Sequence, residues 1–99
     1  MVKAINENEF SEVTKEGTVL VDCFASWCGP CRMLSPIVDQ VSEEVKDVNF
    51  YKLDVDDAEN ITNEFGIMSI PTLLVFKDGK LVKKSVGLIN ADELKELIK

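Results

Sequence analysis

The residues with the clearest chemical potential are two cysteines, Cys28 and Cys31, which are separated by a glycine and a proline. At the start of a helix, cysteines with this spacing can close a disulfide, because one helical turn brings their side chains within bonding range. Trp27 stands directly before the pair, and Pro30 fits the first turn of a helix, where its missing N–H costs nothing. The pattern therefore predicts a redox-active dithiol with Gly29 and Pro30 inside its ring.

The two sulfurs are predicted to have different roles. At a helix N-terminus, free N–H groups and the macrodipole favour a thiolate over a thiol by ~0.3 to 2 kcal/mol, which marks Cys28 as the nucleophile. The chain has no histidine that could pair with this thiolate, so the pair is expected to be a reductant. Cys31, one turn deeper, is expected to be shielded and to release the substrate by attacking the mixed disulfide on Cys28.

Without histidine, proton transfer has to use a carboxylate, a lysine or the thiols themselves. Asp22 is the one carboxylate within the apolar run Thr18–Phe24, shortly before Cys28. We expect burial to raise its pKa, so that it accepts the proton that Cys31 must lose, through a water molecule. Lys52, on the next predicted strand, is its candidate charge partner. The alternatives are a charged residue at a sheet edge for Asp22 and a solvated strand residue for Lys52.

The cysteines also admit a metal-binding interpretation. Cys23, Cys28, Cys31 and Asp22 could in principle supply four zinc ligands. Against this, Cys23 lies in the middle of a predicted strand and points to the opposite face from Asp22, and no second Cys or His pair exists. Cys23 is therefore predicted to be a buried free thiol that packs as a small hydrophobic residue, with regulatory oxidation as the alternative.

The elements that must position these residues follow from the hydrophobic pattern. Thr18–Phe24 is β-rich and apolar on both faces, which is typical of a central strand covered by helices on two sides. The cysteine pair then opens a helix that Pro36 is expected to kink. Before this strand, Asn6 and Glu9 predict a capped helix that ends at Gly17.

The second half of the chain predicts a further strand, a helix and a hairpin. The strand covers residues 49–55, and a short helix over residues 58–65 follows it. The dipeptide Asp78-Gly79 lies between apolar runs at 72–76 and 81–86, which is the strongest short signal for an antiparallel hairpin.

Asn90 and Glu93 predict the capping box of a final helix. The complete order is a parallel β-α-β unit, a hairpin and a closing helix, which indicates an α/β fold with a mixed sheet and helices on both faces. Ligand chemistry in such sheets gathers at the carboxyl ends of the parallel strands, where Cys28 is expected to lie.

Composition limits the classes of function. Ninety-nine residues with 45% hydrophobic content predict one domain, residues 1–99. A net charge of −7 repels nucleic acid and anionic membranes, so we expect partners to be proteins or neutral molecules. No apolar stretch reaches membrane-spanning length, and we interpret the N-terminus as uncleaved and the protein as a cytoplasmic monomer.

The chain carries the central motif Trp27-Cys28-Gly29-Pro30-Cys31 and five further segments: Val21-Asp22, Pro36, Lys52-Leu53-Asp54-Val55-Asp56, Ile70-Pro71-Thr72 and Phe76-Lys77-Asp78-Gly79. With these segments, it resembles the thioredoxin family over essentially its whole length. The resemblance implies a central five-stranded mixed sheet with four helices, including a first strand near residues 3–5. It also implies a cis peptide bond before Pro71, beside the cysteines.

The resemblance further implies a flat apolar surface for docking a substrate, with free backbone groups in the loop 69–72. Its members would be Trp27, Gly29, Pro30, Ser69, Ile70, Pro71, Thr72, Gly87 and Leu88. Proteins of this family hold no cofactor, act on disulfide-containing proteins and are recharged by a reductase, usually a flavoprotein that draws on NADPH. The chain departs from many members at three positions away from the dithiol: Cys23, Phe24 and Ser69.

Three functions compete on these observations. The leading hypothesis is a dithiol electron carrier that reduces protein disulfides. A disulfide oxidant or isomerase would want a histidine between the cysteines and an export signal, and the chain has neither. The third is a structural or chaperone subunit in which the same fold serves as a binding module.

Overall fold

A computed structural model describes residues 1–99 as a five-stranded mixed sheet with four α-helices. The strands are β1 (Val2–Ile5), β2 (Thr18–Phe24), β3 (Asn49–Asp54), β4 (Thr72–Lys77) and β5 (Lys80–Val86). The helices are α1 (Phe10–Thr14), α2 (Gly29–Glu44), α3 (Glu59–Glu64) and α4 (Ala91–Leu97), with 3₁₀ turns at Glu7–Glu9 and Val55–Asp57. The predicted fold class is confirmed, including the first strand.

The sheet has the order β1-β3-β2-β4-β5, with β1, β3 and β2 parallel and both β4 and β5 antiparallel to their neighbours. β2 lies at its centre, as its two-sided apolar pattern predicts, and Val19, Leu20 and Val21 are fully buried. The register of β2 and β3 places Asp22 opposite Lys52. Because Asp22 lies on this central strand, the alternative that it is a charged residue at a sheet edge is excluded.

Two core layers cover the faces of the sheet. The first layer lies against α1 and α3 and includes Phe10, Cys23 and Ile61, while the second lies against α2 and α4 and includes Leu20 and Leu34. Successive side chains of a strand alternate between faces, so the free thiol of Cys23 belongs to the first layer and Asp22 lies on the side of α2. The prediction of a buried free thiol is confirmed.

The local signals for caps and turns are confirmed. Asn6 caps the turn before α1, and Asn90 caps α4, each in a reciprocal capping box with the glutamate three residues later. Asp78 and Gly79 have φ angles of 49° and 87°, which are the left-handed values that a two-residue hairpin turn requires.

The end of β3 differs from the sequence prediction. β3 ends at Asp54 and not at residue 55, because the Asp54 carboxylate accepts the N–H of Asp56 at 3.0 Å and starts a 3₁₀ turn. Helix α2 runs as one element from Gly29 to Glu44 with Pro36 inside it, and the kink expected at Pro36 stays a prediction.

Candidate active site

The two cysteines form a disulfide at the N-terminus of α2, with their Cα atoms 5.3 Å apart. Cys28 is the N-cap residue, and its Sγ accepts the backbone N–H of Cys31 at 3.2 Å. Gly29 and Pro30 occupy the first two helical positions, where Pro30 has no hydrogen bond to lose. The fold thus places one sulfur where the helix presents unpaired N–H groups, an environment that stabilises a thiolate after reduction.

The surroundings of the two sulfurs differ, although their exposure does not. Cys28 and Cys31 are 5% and 4% exposed, so the expected contrast between an open and a shielded residue is absent in the disulfide state. Sγ of Cys28 lies 3.8 Å from the carbonyl oxygen of Ile70, directly before the cis peptide bond to Pro71. Tertiary contact therefore brings this loop against Cys28.

Cys31 instead faces a cavity of about 280 Å³ beside β2 and β3. The cavity is lined by Asp22, Phe24, Ala25, Ser26, Cys31, Arg32, Ser35 and Lys52. Asp22 and Lys52 meet here because paired strands hold them in register, and Cys31 joins them from α2. The three residues that the sequence assigned to proton transfer thus border one space.

The carboxyl group of Asp22 is buried and incompletely hydrogen-bonded. The residue is 4% exposed, and Oδ1 has no hydrogen-bond partner within the chain. Burial disfavours the charged carboxylate and raises the pKa of Asp22 to about 7, while the positive charge of Lys52 lowers it and the negative charge of Asp39 raises it. The group can therefore take up or give up a proton close to neutral pH.

Comparison with known proteins agrees with this geometry. The family model named Thioredoxin matches residues 1–99. The chain belongs to the thioredoxin family. It is 46% identical over 98 residues to a thioredoxin of Chlamydia muridarum, covering 99% of this chain and 96% of the relative. Identity to a thioredoxin of Bacillus subtilis is 44% over 99 residues, with 99% and 94% covered.

Solved structures show the same relationship. A mutant thioredoxin from Halobacterium salinarum NRC-1 superposes with a TM-score of 0.92 at 38% identity, covering 98% of this chain and 87% of that one. A thioredoxin from Malassezia sympodialis gives 0.88 at 35%, with 98% and 89% covered. The chain is accordingly a thiol–disulfide oxidoreductase, a dithiol electron carrier that reduces protein disulfides and is recharged by thioredoxin reductase.

The other residues expected in the site differ in their exposure. Trp27 is 67% exposed and Leu88 is also exposed, whereas Pro71 and Thr72 are buried. Gly87, at a φ of 97°, donates its N–H to the carbonyl of Pro71 at 2.8 Å.

Only part of the loop 69–72 has free backbone groups. Thr72 Oγ1 donates to the carbonyl of Ser69 at 2.6 Å, and the carbonyl of Pro71 is occupied by Gly87. The N–H of Ile70 donates to no acceptor within the chain. Ile70 therefore provides a backbone donor beside Cys28.

The sequence analysis assigned no role to Asp56 and Arg32, which both form hydrogen bonds at the site. Trp27 Nε1 donates to Asp56 Oδ2 at 2.9 Å, which fixes the indole against the 3₁₀ turn after β3. Arg32 Nη1 donates to the carbonyl of Ser26 at 3.0 Å at the cavity wall. The first contact joins distant parts of the chain, and the second joins the start of α2 to the loop directly before it. The basic residue directly after Cys31 was the only local signal for either of them.

No helix of this thioredoxin combines the length and the apolar character that crossing a bilayer requires.

Proposed function

We propose that Cys28 is the nucleophile of this thioredoxin and that Cys31 is the resolving thiol. In the first step the Cys28 thiolate attacks one sulfur of a substrate disulfide, the substrate S–S bond breaks, and one substrate sulfur leaves as a thiolate. In the second step the Cys31 thiolate attacks Cys28 Sγ and releases the other substrate thiol. The protein is left with the Cys28–Cys31 disulfide, and the substrate has gained two electrons.

The position of Cys28 as the N-cap of α2 is the observation that supports this order most strongly. The N–H of Cys31 already points to its sulfur at 3.2 Å, and the macrodipole acts in the same direction. Cys31 has no equivalent position, since its own N–H is the donor in this contact. The attacking anion is thus best stabilised on Cys28.

Asp22 is the proton acceptor for Cys31 in this proposal. Cys31 and Asp22 line the same cavity, and Cys28 is not among its lining residues. A carboxyl with a pKa of about 7 matches the task, because general bases work best near the operating pH. Lys52 adjusts this pKa from the neighbouring strand, and it is a positioning residue with no contact to the substrate.

The substrate would dock on the surface around Cys28, which comprises Trp27, Gly29, Pro30, Ser69, Ile70, Pro71, Thr72, Gly87 and Leu88. An extended segment of the substrate would accept the free N–H of Ile70 and pack its side chains on Trp27 and Leu88. The buried residues Pro71 and Thr72 would stabilise the conformation of this loop.

We further propose that residues 1–99 act as one domain and as a cytoplasmic monomer. Its partners would be thioredoxin reductase and disulfide-containing proteins, and it would use neither nucleic acid nor a membrane. The net charge of −7 supports the exclusion of anionic partners, and the absence of histidine between the cysteines supports a reductant over an oxidant.

Trapping separates the two cysteine roles. The Cys31→Ser variant is expected to accumulate a mixed disulfide through Cys28 when it is mixed with disulfide-bonded insulin, because the step that releases the substrate is removed. The matched Cys28→Ser variant is expected to form no such adduct and to lose turnover. Mass spectrometry of the adducts is the measurement, and a stable adduct on Cys31 in Cys28→Ser with none in Cys31→Ser would reverse the assignment.

A further inference from the structure

Exposed apolar side chains concentrate around the dithiol. Four of the eight exposed large hydrophobic residues belong to segments that meet there: Trp27, Met33, Met68 and Leu88. Met68 has the most exposed side chain of the eight, at 95%. The exposure of apolar side chains to water is energetically unfavourable, and an apolar rim beside a reactive group is typical of a docking surface.

The backbone that carries Met68 is tied on both sides. Lys84 Nζ donates to the carbonyls of Phe65 and Gly66 at 3.0 and 3.2 Å, where this segment leaves α3. After Met68, the carbonyl of Ile70 lies beside Cys28 Sγ and that of Pro71 accepts the N–H of Gly87. The thioether is therefore free in solvent on a main chain that is fixed next to the reactive sulfur.

A methionine in this place combines two properties. Its unbranched, polarisable side chain adapts to differently shaped apolar partners, which suits a carrier that acts on many proteins. Its sulfur is also oxidised to a sulfoxide, which converts the apolar side chain into a polar one. Oxidation would thus remove apolar contact without touching the cysteines.

We propose that Met68 contacts the protein segments that flank a substrate disulfide, and that its oxidation by hydrogen peroxide weakens this docking. The thioether sulfur gains one oxygen atom from the peroxide, the O–O bond breaks, and the other oxygen leaves as water. The sulfur loses two electrons and the peroxide gains them. This inference rests on the proposed docking surface around Cys28 and deepens it.

In the disulfide state, the methionine sulfurs are the ones that peroxide can reach. Cys28 and Cys31 have no thiolate in this state, and Cys23 is fully buried with its pKa raised by burial to about 12. The exposed reduced sulfurs are then those of Met1, Met33 and Met68. The amino group of Met1 pairs with Glu43 near the far end of α2, so Met1 lies away from the redox site.

The test compares a protein disulfide with a small one. The disulfide form is treated with hydrogen peroxide, sulfoxides are located by peptide mass spectrometry, and the dithiol is restored with dithiothreitol. Stopped-flow Trp27 fluorescence then gives second-order rate constants for insulin and for bis(2-hydroxyethyl) disulfide. We expect sulfoxide at Met68 and a fall of about fivefold for insulin, the size of about 1 kcal/mol of lost contact, with no change for the small disulfide.

Matched variants assign the effect to one sulfur. In Met68→Leu the ratio of the insulin rates after and before peroxide is expected to be one, because this side chain has no oxidisable sulfur. In Met33→Leu the fivefold fall is expected to persist. Met68→Gln, which carries a polar group without peroxide, is expected to react more slowly with insulin than Met68→Leu and equally fast with the small disulfide.

Three results would overturn the proposal: no sulfoxide at Met68, an unchanged insulin rate after its oxidation, or a fall that persists in Met68→Leu. A failure of the underlying docking and dithiol assignment has a different signature. In that case untreated wild-type protein would reduce neither disulfide, or Met68→Gln would slow both of them equally.

Discussion

The burial of Asp22 makes the stability of this protein depend on pH. Folding buries the carboxyl and raises its pKa from 3.8 to about 7. Below pH 4 both the folded and the unfolded chain hold this proton, so burial has no ionisation cost. Between pH 4 and 7 the unfolded chain releases the proton while the folded chain keeps it, so stability falls as the pH rises, and the full cost applies above pH 7.

Replacing Asp22 with Asn is therefore expected to increase the free energy of unfolding relative to wild type above pH 7. The gain should grow from near pH 4 to pH 7 and reach at most about 4 kcal/mol, since one pKa unit corresponds to about 1.4 kcal/mol. Urea unfolding of the disulfide form at several pH values measures it. Asp57→Asn, at an exposed position, is the control, and an equal pH dependence in both variants would refute the effect of burial.

Cys23 shows that a cysteine close to the motif need not belong to the chemistry. It is adjacent to Asp22 in sequence, yet the alternation of the strand sends its thiol into the opposite core layer. Burial raises its pKa to about 12, and the neighbouring carboxyl adds to this increase. Its thiol is therefore protonated and inaccessible at neutral pH.

At the scale of elements, the pairing of β2 with β3 sets the electrostatics of the cavity. Lys52 is half-buried and faces Asp22 through the register of these parallel strands. Its positive charge lowers the pKa of Asp22 and opposes the larger effect of burial. A shift of this register by one residue would turn Lys52 to the other face of the sheet.

The Lys52→Met variant is expected to raise the pKa of Asp22 above its wild-type value of about 7, because only the lowering influence is removed. In the proposed mechanism, the pH at which Asp22 can accept the proton of Cys31 would rise with this pKa. Titration of the Asp22 carboxyl by NMR is the direct measurement. Lys52→Arg keeps the charge and should leave the titration near wild type; equal curves for both variants would rule out the charge effect.

Helix α2 links the packing of the protein to its reaction. Its first residues carry the dithiol, and Leu34, Val38 and Val41 anchor it in the second core layer. Pro30 occupies a position at the helix start where no backbone hydrogen bond is required, whereas Pro36 lies inside the helix. The sulfur positions therefore depend on contacts several turns away.

At the scale of the whole molecule, one sheet serves as the wall of both core layers. β2 contributes Leu20 to the second layer and Val19 and Val21 to the first, so neither layer can lose its packing without exposing the same strand. Such shared burial favours a single cooperative unfolding transition.

We therefore expect Trp27 fluorescence and far-ultraviolet circular dichroism to report the same urea midpoint. Leu34→Ala in the second layer and Leu53→Ala in the first should each lower the free energy of unfolding by about 2 to 5 kcal/mol and move both signals together. Separate midpoints for the two signals, or a shift of only one of them, would contradict the proposal of one domain over residues 1–99.

Local chemistry allowed most elements of the fold to be read from the sequence. The capping boxes at Asn6 and Asn90, the turn at Asp78-Gly79 and the two-sided apolar strand β2 depend on neighbours within a few residues, and all were confirmed. The dithiol was recognised for the same reason, since Cys28 and Cys31 are one helical turn apart. Its family likeness also implied β1, which has no strong local signal.

Only the tertiary structure decided how distant residues combine at the site. The cavity that joins Asp22, Lys52 and Cys31, the approach of Ile70 to Cys28 and the exposure of Met68 depend on how separate segments pack. Strand register, burial and the depth of a sulfur are properties of contacts between remote parts of the chain, and they arise when long-range packing closes the sheet against its helices. Local sequence patterns carry no direct record of these distances.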